Sequence, residues 1–284
     1  MKLADFDYSL PKNLIAQHPS ERRDECRLMV LDRNKNTLVH RTFKDIVDYF
    51  KAGDTLILNN SKVIPARLFG YKKTGARIEF LLIKRLDGDT WETMVRPGKR
   101  AKIGDEILFG EADTDPILVA KIIAYGNDGT RIVEFSYDGI FMEILERLGT
   151  MPLPPYIERR ERDDRDKERY QTVYALPEGS VAAPTAGLHF TTELLDRLEE
   201  KGVNLVYVTL HVGIGTFKPV KADEISEHHM HLEEYEISSE SAELINRALI
   251  EKRRIICIGT TSVRTVESSA YFDDKKGVYQ VKAG

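Results

Sequence analysis

The chain has 284 residues, of which 42% are apolar and 31% charged, and its net charge is −4. This composition excludes disordered and fibrous classes, and no apolar run reaches the roughly 20 residues of a membrane span. Cys26 and Cys257 are the only cysteines; they cannot make a disulfide framework, a four-thiolate zinc site or a three-cysteine iron–sulfur cradle. The N-terminus lacks the apolar core of a signal peptide, so a reducing cytoplasm is the expected compartment.

Taken in chain order, Leu28–Leu31 reads as a short apolar strand, returned by Thr37–His40 across Asn34-Lys35-Asn36. Phe43–Phe50 has helical spacing and Gly53 stops it. Thr55–Leu58 is a buried-type strand ending at Asn59-Asn60. Beyond Lys62 short β-rich runs recur at 67–71, 77–84, 90–95, 106–109, 117–125 and 131–137, separated by Gly or Asp-Gly turns. Such spacing predicts a small antiparallel barrel or sandwich. Phe141–Leu148 reads as a helix and Pro152-Leu-Pro-Pro155 as a rigid extended joint. Glu158–Arg169, with six basic and six acidic residues, reads as a solvated loop or helix. From Tyr170 onward strands at 203–210 and 255–258 alternate with a helix at 239–253, which implies a sheet with parallel pairs. The expected fold class is therefore α/β. A mixed-sheet domain from residues 1–61 and 150–284 is interrupted by an inserted barrel domain at 62–149.

Charge is unevenly spread. Lys62–Lys102 holds eleven Lys/Arg against four Asp/Glu, and Lys221–Glu251 holds two against nine. A basic insert favours a nucleic-acid surface over a purely structural module.

Five of the seven histidines, at 189, 211, 228, 229 and 231, fall in one stretch. Thr191 is a suitable N-cap for a helix over 192–201, with Phe190 and Leu195 as a hydrophobic staple. His189 would then precede a helix N-terminus, whose dipole disfavours imidazolium and leaves a neutral base; the alternative is a capping or packing histidine. His211 closes an apolar strand beside Gly213-Ile-Gly215, a place for function or for a half-buried packing residue. That Gly-x-Gly lacks the third glycine of a dinucleotide fingerprint. His228, His229 and His231 invite zinc, but they lack the i, i+4 pair of helical zinc sites, and no metal is expected. Gly259-Thr260-Thr261-Ser262 follows a strand and opens a helix, where an anion or an ordinary N-cap is served equally.

Several motifs come in order: Phe6-Asp-Tyr-Ser-Leu-Pro11, Leu14-Ile-Ala-Gln17, Val63-Ile-Pro-Ala-Arg67, Arg96-Pro-Gly-Lys99, Glu168–Tyr174, Gly179–Phe190, Thr209–Val220, His228–His231 and Gly259–Arg264. In these the whole chain resembles the S-adenosylmethionine:tRNA ribosyltransferase-isomerase family of queuosine biosynthesis. The resemblance implies an α/β domain with a barrel insert. It also implies an enzyme that moves the ribosyl part of S-adenosylmethionine onto the 7-aminomethyl group of a 7-deazaguanine at a tRNA wobble position. The sugar is isomerised to an epoxy-cyclopentanediol, and adenine and methionine are released. S-adenosylmethionine is consumed as a substrate, so no cofactor is expected. The partners are that donor and a tRNA anticodon loop, with no membrane, on a monomer. Two departures stand out. The family usually has Asn-Asp-Thr where this chain has Asn59-Asn60-Ser61, which removes a carboxylate there. Family members also continue for roughly another fifty residues past the glycine region near 284, including an Asn-Phe-His-Leu-Pro stretch.

The implied chemistry needs a neutral base near pH 7 beside the sulfonium. His189 is the first expectation, His211 the second, and His231 would assist adenine departure. Pro184, Thr185, Gly187, Gly213, Gly215 and Thr216 are expected to approach the donor. Arg264 or the Thr260-Thr261 turn would hold its carboxylate. Arg67, Lys72, Lys73, Arg96, Lys99 and Arg100 are expected phosphate contacts. All this requires residues 189, 211 and 264 to share a cavity. A metal hydrolase and a non-catalytic tRNA-binding protein are the readings from other classes.

Overall fold

The computed structural model describes residues 1–111, 115–158, 163–217, 220 and 222–284. Arg159–Arg162 of the charged segment, Lys218 and Pro219 of the Thr209–Val220 motif, and Lys221 of the acidic stretch lie outside them.

The N-terminal segment winds through short 3₁₀ turns to an antiparallel hairpin, β1 (Arg27–Asp32) and β2 (Thr37–Thr42), in register Val30 against Val39. Asn36 closes its turn with φ +49°, a left-handed conformation that Asn tolerates. The expected helix after it is a 3₁₀ helix over Phe43–Tyr49. Asp45 caps it backward, accepting from Thr42 N–H at 3.0 Å, and Phe43 and Val47 are its buried face.

Strand β3 (Thr55–Asn59) follows and is buried throughout. The short β4 (Lys62–Val63) then leads into β5 (Arg67–Tyr71), β6 (Arg77–Asp87), β7 (Thr90–Arg96), β8 (Glu106–Phe109), β9 (Leu118–Tyr125) and β10 (Arg131–Tyr137). These last six close an antiparallel barrel in the order β10-β7-β6-β5-β8-β9. Period-2 alternation explains it: Leu68, Ile78, Phe80, Leu82, Ile107 and Val133 point inward and are wholly buried. Helix α1 (Phe141–Leu148) plugs one side, its Phe141 ring 5.4 Å from Trp91 and 5.3 Å from Phe135.

The chain returns through α2 (Asp166–Arg169), β11 (Glu178–Ser180), α3 (Thr192–Glu200), β12 (Asn204–Leu210), β13 (Tyr235–Glu236), α4 (Ser239–Ile250), β14 (Ile255–Cys257) and α5 (Gly259–Ser269). A last hairpin pairs β15 (Ala270–Asp273) with β16 (Val278–Val281). The sheet order is β13-β12-β3-β14, with β3 parallel to both β12 and β14 and β13 antiparallel. The early strand β3 is thus the centre of a sheet otherwise built from the second half of the chain. Its fully apolar run Leu56-Ile57-Leu58 suits a strand covered on both faces. One core lies between that sheet and α3 with the 3₁₀ helix, and another between the sheet and α4.

Candidate active site

The carboxyl ends of β3 and β12 are locked side by side, and that lock places the loops that follow. Asn59 donates from Nδ2 to Leu210 O at 3.0 Å and accepts Leu210 N–H on Oδ1 at 3.0 Å. Asn60 Oδ1 accepts from Thr209 Oγ1 at 2.8 Å. Ser180 Oγ donates to Ser61 Oγ at 2.8 Å and accepts Val212 N–H at 2.9 Å. The Asn59-Asn60-Ser61 triplet therefore works as neutral hydrogen-bonding mortar: Asn59 uses both its amide donor and its acceptor, while the Asn60 contact uses its oxygen, an acceptor that a carboxylate would also supply.

Three adjoining cavities run along these ends. The first, about 810 Å³, opens between the barrel and the sheet and is lined by His211, His231, Gly213, Gly215, Glu233 and, from the barrel, Lys84 and Trp91. Both imidazoles pack closely against glycines. A Cβ on Gly179 would stand 2.7 Å from His211 Nδ1, and one on Gly215 would stand 2.6 Å from His231 Cδ2. Gly179 also has φ +147°, a region closed to other residues. Burial pushes the His211 pKa below its ordinary value, and the charges of Glu234 and Glu236 pull the other way. The ring is thereby held neutral near pH 7. Lys84 of β6 reaches across to Glu234 at 2.5 Å, joining barrel to sheet.

Arg264 was expected to face a substrate carboxylate. Instead its guanidinium donates to Glu233 Oε2 and to His231 O. Glu233, 7% exposed, also accepts Gly213 N–H at 2.8 Å. An ionised carboxylate this buried requires such donors. The result is a clamp that fixes His231 and the Gly213–Gly215 turn relative to each other.

The second cavity, about 690 Å³, touches the first at Val212 and is lined by Pro184, Thr185, Thr216, Thr260 and Thr261. Gly187 is not on its wall. It is buried, and the Tyr174 hydroxyl and Thr172 pack where its Cβ would be.

His189 lies in the third cavity, about 570 Å³, which shares Pro154, Tyr156, Tyr170 and Thr185 with the second. Its Nδ1 is 3.1 Å from Cys26 Sγ, and its ring is 5.2 Å from Phe43. Thr191 caps α3 as expected, accepting Leu194 N–H at 3.2 Å. The His189 pKa is lowered. The causes are burial first and the charge of Arg23 second. Arg23 is itself spent on the carbonyls of Gln171, Leu188 and Glu168. Burial likewise pushes the Cys26 thiol up, so Cys26 and His189 form a neutral pair. The expectation of a single shared cavity is corrected: His211 and His231 line the first cavity, Arg264 reaches His231 directly and through Glu233, and His189 lines the third, beside the N-terminal segment.

The six expected phosphate contacts divide. Lys72 is tied to Asp105 at 2.8 Å, Lys73 to Glu106 at 2.8 Å and Arg67 to Glu79 at 3.4 Å. Arg96, Lys99 and Arg100 are exposed around the 3₁₀ turn Gly98–Arg100, with no ion pair among the described residues. Among those residues no group of three His, Cys, Asp or Glu could hold a metal ion, and no helix is long and apolar enough to cross a membrane. Sequence reasoning missed Glu233, Gly179 and Cys26. The signals were present: Glu233 follows the histidine cluster and Gly179 heads a long motif.

A solved structure described as S-adenosylmethionine tRNA ribosyltransferase from Thermotoga maritima is 37% identical to this chain, covering 93% of it and 72% of that chain, with a TM-score of 0.42. A family model described as queuosine biosynthesis protein matches residues 3–281. With that match running over nearly its whole length, the chain belongs to the queuosine biosynthesis protein family.

Proposed function

We propose that the protein transfers and isomerises the ribosyl moiety of S-adenosylmethionine onto 7-aminomethyl-7-deazaguanine at the wobble position of tRNA, giving epoxyqueuosine-tRNA, adenine and methionine. The observation that carries this reading is the pair of imidazoles, His211 and His231, facing one cavity between the barrel and the sheet. The sulfonium acidifies the C5′ protons of the donor ribose. Neutral His211 accepts one of them, and the electron pair left on C5′ forms a C4′=C5′ double bond as the C4′–O4′ bond breaks. The O4′ electron pair then forms a C1′ aldehyde as the C1′–N bond breaks, and adenine departs with a proton supplied from the His231 side. The aminomethyl nitrogen of the RNA base then adds to C4′ and loses a proton, and the C5′ electron pair this regenerates attacks the C1′ aldehyde to close the five-carbon ring. The resulting C1′ alkoxide displaces methionine, which leaves with the C5′–S electron pair as the epoxide closes. A general base of this kind contributes about 10²–10⁴-fold.

The barrel supplies the RNA grip. Exposed Arg96, Lys99 and Arg100 are free to meet phosphate, whereas Lys72, Lys73 and Arg67 must first leave carboxylates. An anticodon loop is single-stranded, so its base can splay into the cavity.

The test mixes the protein with S-adenosylmethionine and precursor-bearing tRNA and measures adenine and methionine. Stoichiometric release of both is expected; tight tRNA binding without adenine would leave a binding protein instead. Replacing Arg96, Lys99 and Arg100 together by Ala should flatten the salt dependence of tRNA affinity by roughly 2 in log–log slope. An unchanged slope would move the docking surface elsewhere.

A further inference from the structure

The second cavity has an unusual floor. Helix α5, eleven residues long, starts there with Ile258 at its N-cap, and no side chain caps it. Gly259, Thr260 and Thr261 line the cavity at this end. The first N–H groups of a helix have no partner within it, and the dipole adds positive potential. Thr261 Oγ1 is buried without a hydrogen-bond partner.

A second unpartnered hydroxyl belongs to a residue that lines the same cavity. Tyr170 is only 7% exposed and lines the cavity. Its hydroxyl meets no partner of good geometry, with the backbone of Ala183 beside it. Burial pushes its pKa up to about 12, so the group is a neutral donor at pH 7. A buried hydroxyl left unsatisfied is unfavourable by about 1–3 kcal/mol, which a ligand oxygen would relieve.

The rest of the wall is apolar, including Pro154, Ala182, Ala183 and Val212, and no Lys or Arg is among the described lining residues. N–H and O–H donors on an apolar wall suit a single-charge planar oxyanion better than a phosphate, which draws guanidinium or ammonium partners. The cavity shares Val212 with the His211 cavity, so the two adjoin.

We propose that the uncapped N-terminus of α5, together with the hydroxyls of Thr261 and Tyr170, binds the amino-acid carboxylate of the sulfonium donor. This rests on the ribosyl-transfer reading for the identity of the donor. Of the two holders expected from the sequence, Arg264 and the Thr260-Thr261 turn, it keeps the turn and adds Tyr170, because Arg264 is already paired with Glu233.

The experiment is calorimetry on the full chain with two ligands, S-adenosylmethionine and its decarboxylated analogue, which keeps the sulfonium and the adenosine. The wild type should bind the carboxylate-bearing ligand about tenfold to a hundredfold more tightly, the range for losing hydrogen bonds to a charged group. Thr261→Val and, separately, Tyr170→Phe should each shrink that gap while leaving the decarboxylated ligand's affinity unchanged. No gap in the wild type, or a gap that survives both substitutions, overturns the assignment. Adenine release with precursor tRNA, measured alongside, separates the two ideas. Turnover without carboxylate dependence keeps the reaction and removes this site. Carboxylate dependence without turnover keeps the site and removes the reaction. No donor binding at all removes both.

Discussion

His189 and His211 are the same residue type, half-buried, each with its pKa lowered first by burial. They differ in what surrounds them. His189 is enclosed by Cys26, Phe43 and the carbonyl-bound Arg23, all from the N-terminal segment. His211 rests on bare glycine backbone and faces a cavity shared with His231 and the barrel. The lowered pKa alone therefore does not identify a base. An imidazole needs an open side toward the substrate, and only one of the two faces the barrel that would bring RNA.

This contrast can be broken most severely at His211. His211→Ala should lower adenine release by about 10²–10⁴-fold, the usual worth of a positioned proton acceptor, with donor affinity nearly intact. Gly179→Ala comes next. The added methyl would collide with Nδ1 and strain the backbone, and a displacement near 1 Å is worth about 10²-fold in kcat. A change confined to KM would show that the glycine shapes binding rather than the ring. His189→Ala should reduce turnover less than about tenfold while removing about 1–2 kcal/mol of stability through lost packing; thermal melting and adenine assays read these separately. A larger kinetic than thermal effect would reverse the ranking of the two histidines. The smallest effect is electrostatic. Protonated His211 cannot accept a proton, so the rate should fall as pH drops through a value below the ordinary 6.5 and stay flat above it. Glu234→Gln removes one of the two neighbouring charges that raise that value, so the acid limb should move lower still.

How far the sequence reveals this depends on the range of the interaction. The six barrel strands were legible because each alternates over a few residues, as in Arg67–Tyr71 and Glu106–Phe109. The closing pair, β9 and β10 against β8 and β7, follows from register and twist and carries no local mark. The cap at Thr191 was legible for the same local reason. The stretch over 43–50 was read as helical, but its 3₁₀ pitch was not readable, since a short capped turn with Phe43 and Val47 inward satisfies either spacing. At the site, the residue types were visible and their pairing was not. Cys26 and His189 are 163 residues apart, and Lys84 and Glu234 are 150 apart. Arg264 illustrates the limit: its charge suggested a ligand, and only the buried Glu233 shows that the charge is already answered.

The position of β3 has a consequence for how the molecule comes into being. Barrel strands find their neighbours within a short span, so that unit can close once residue 137 has been made. Strand β3 cannot do the same; its two partners are residues 204–210 and 255–257. Until those emerge from the ribosome, Leu56-Ile57-Leu58 is an uncovered apolar segment, and its pairings are the non-local kind that form slowly. Biogenesis should therefore proceed from insert to host, with nascent β3 as the segment most in need of a chaperone.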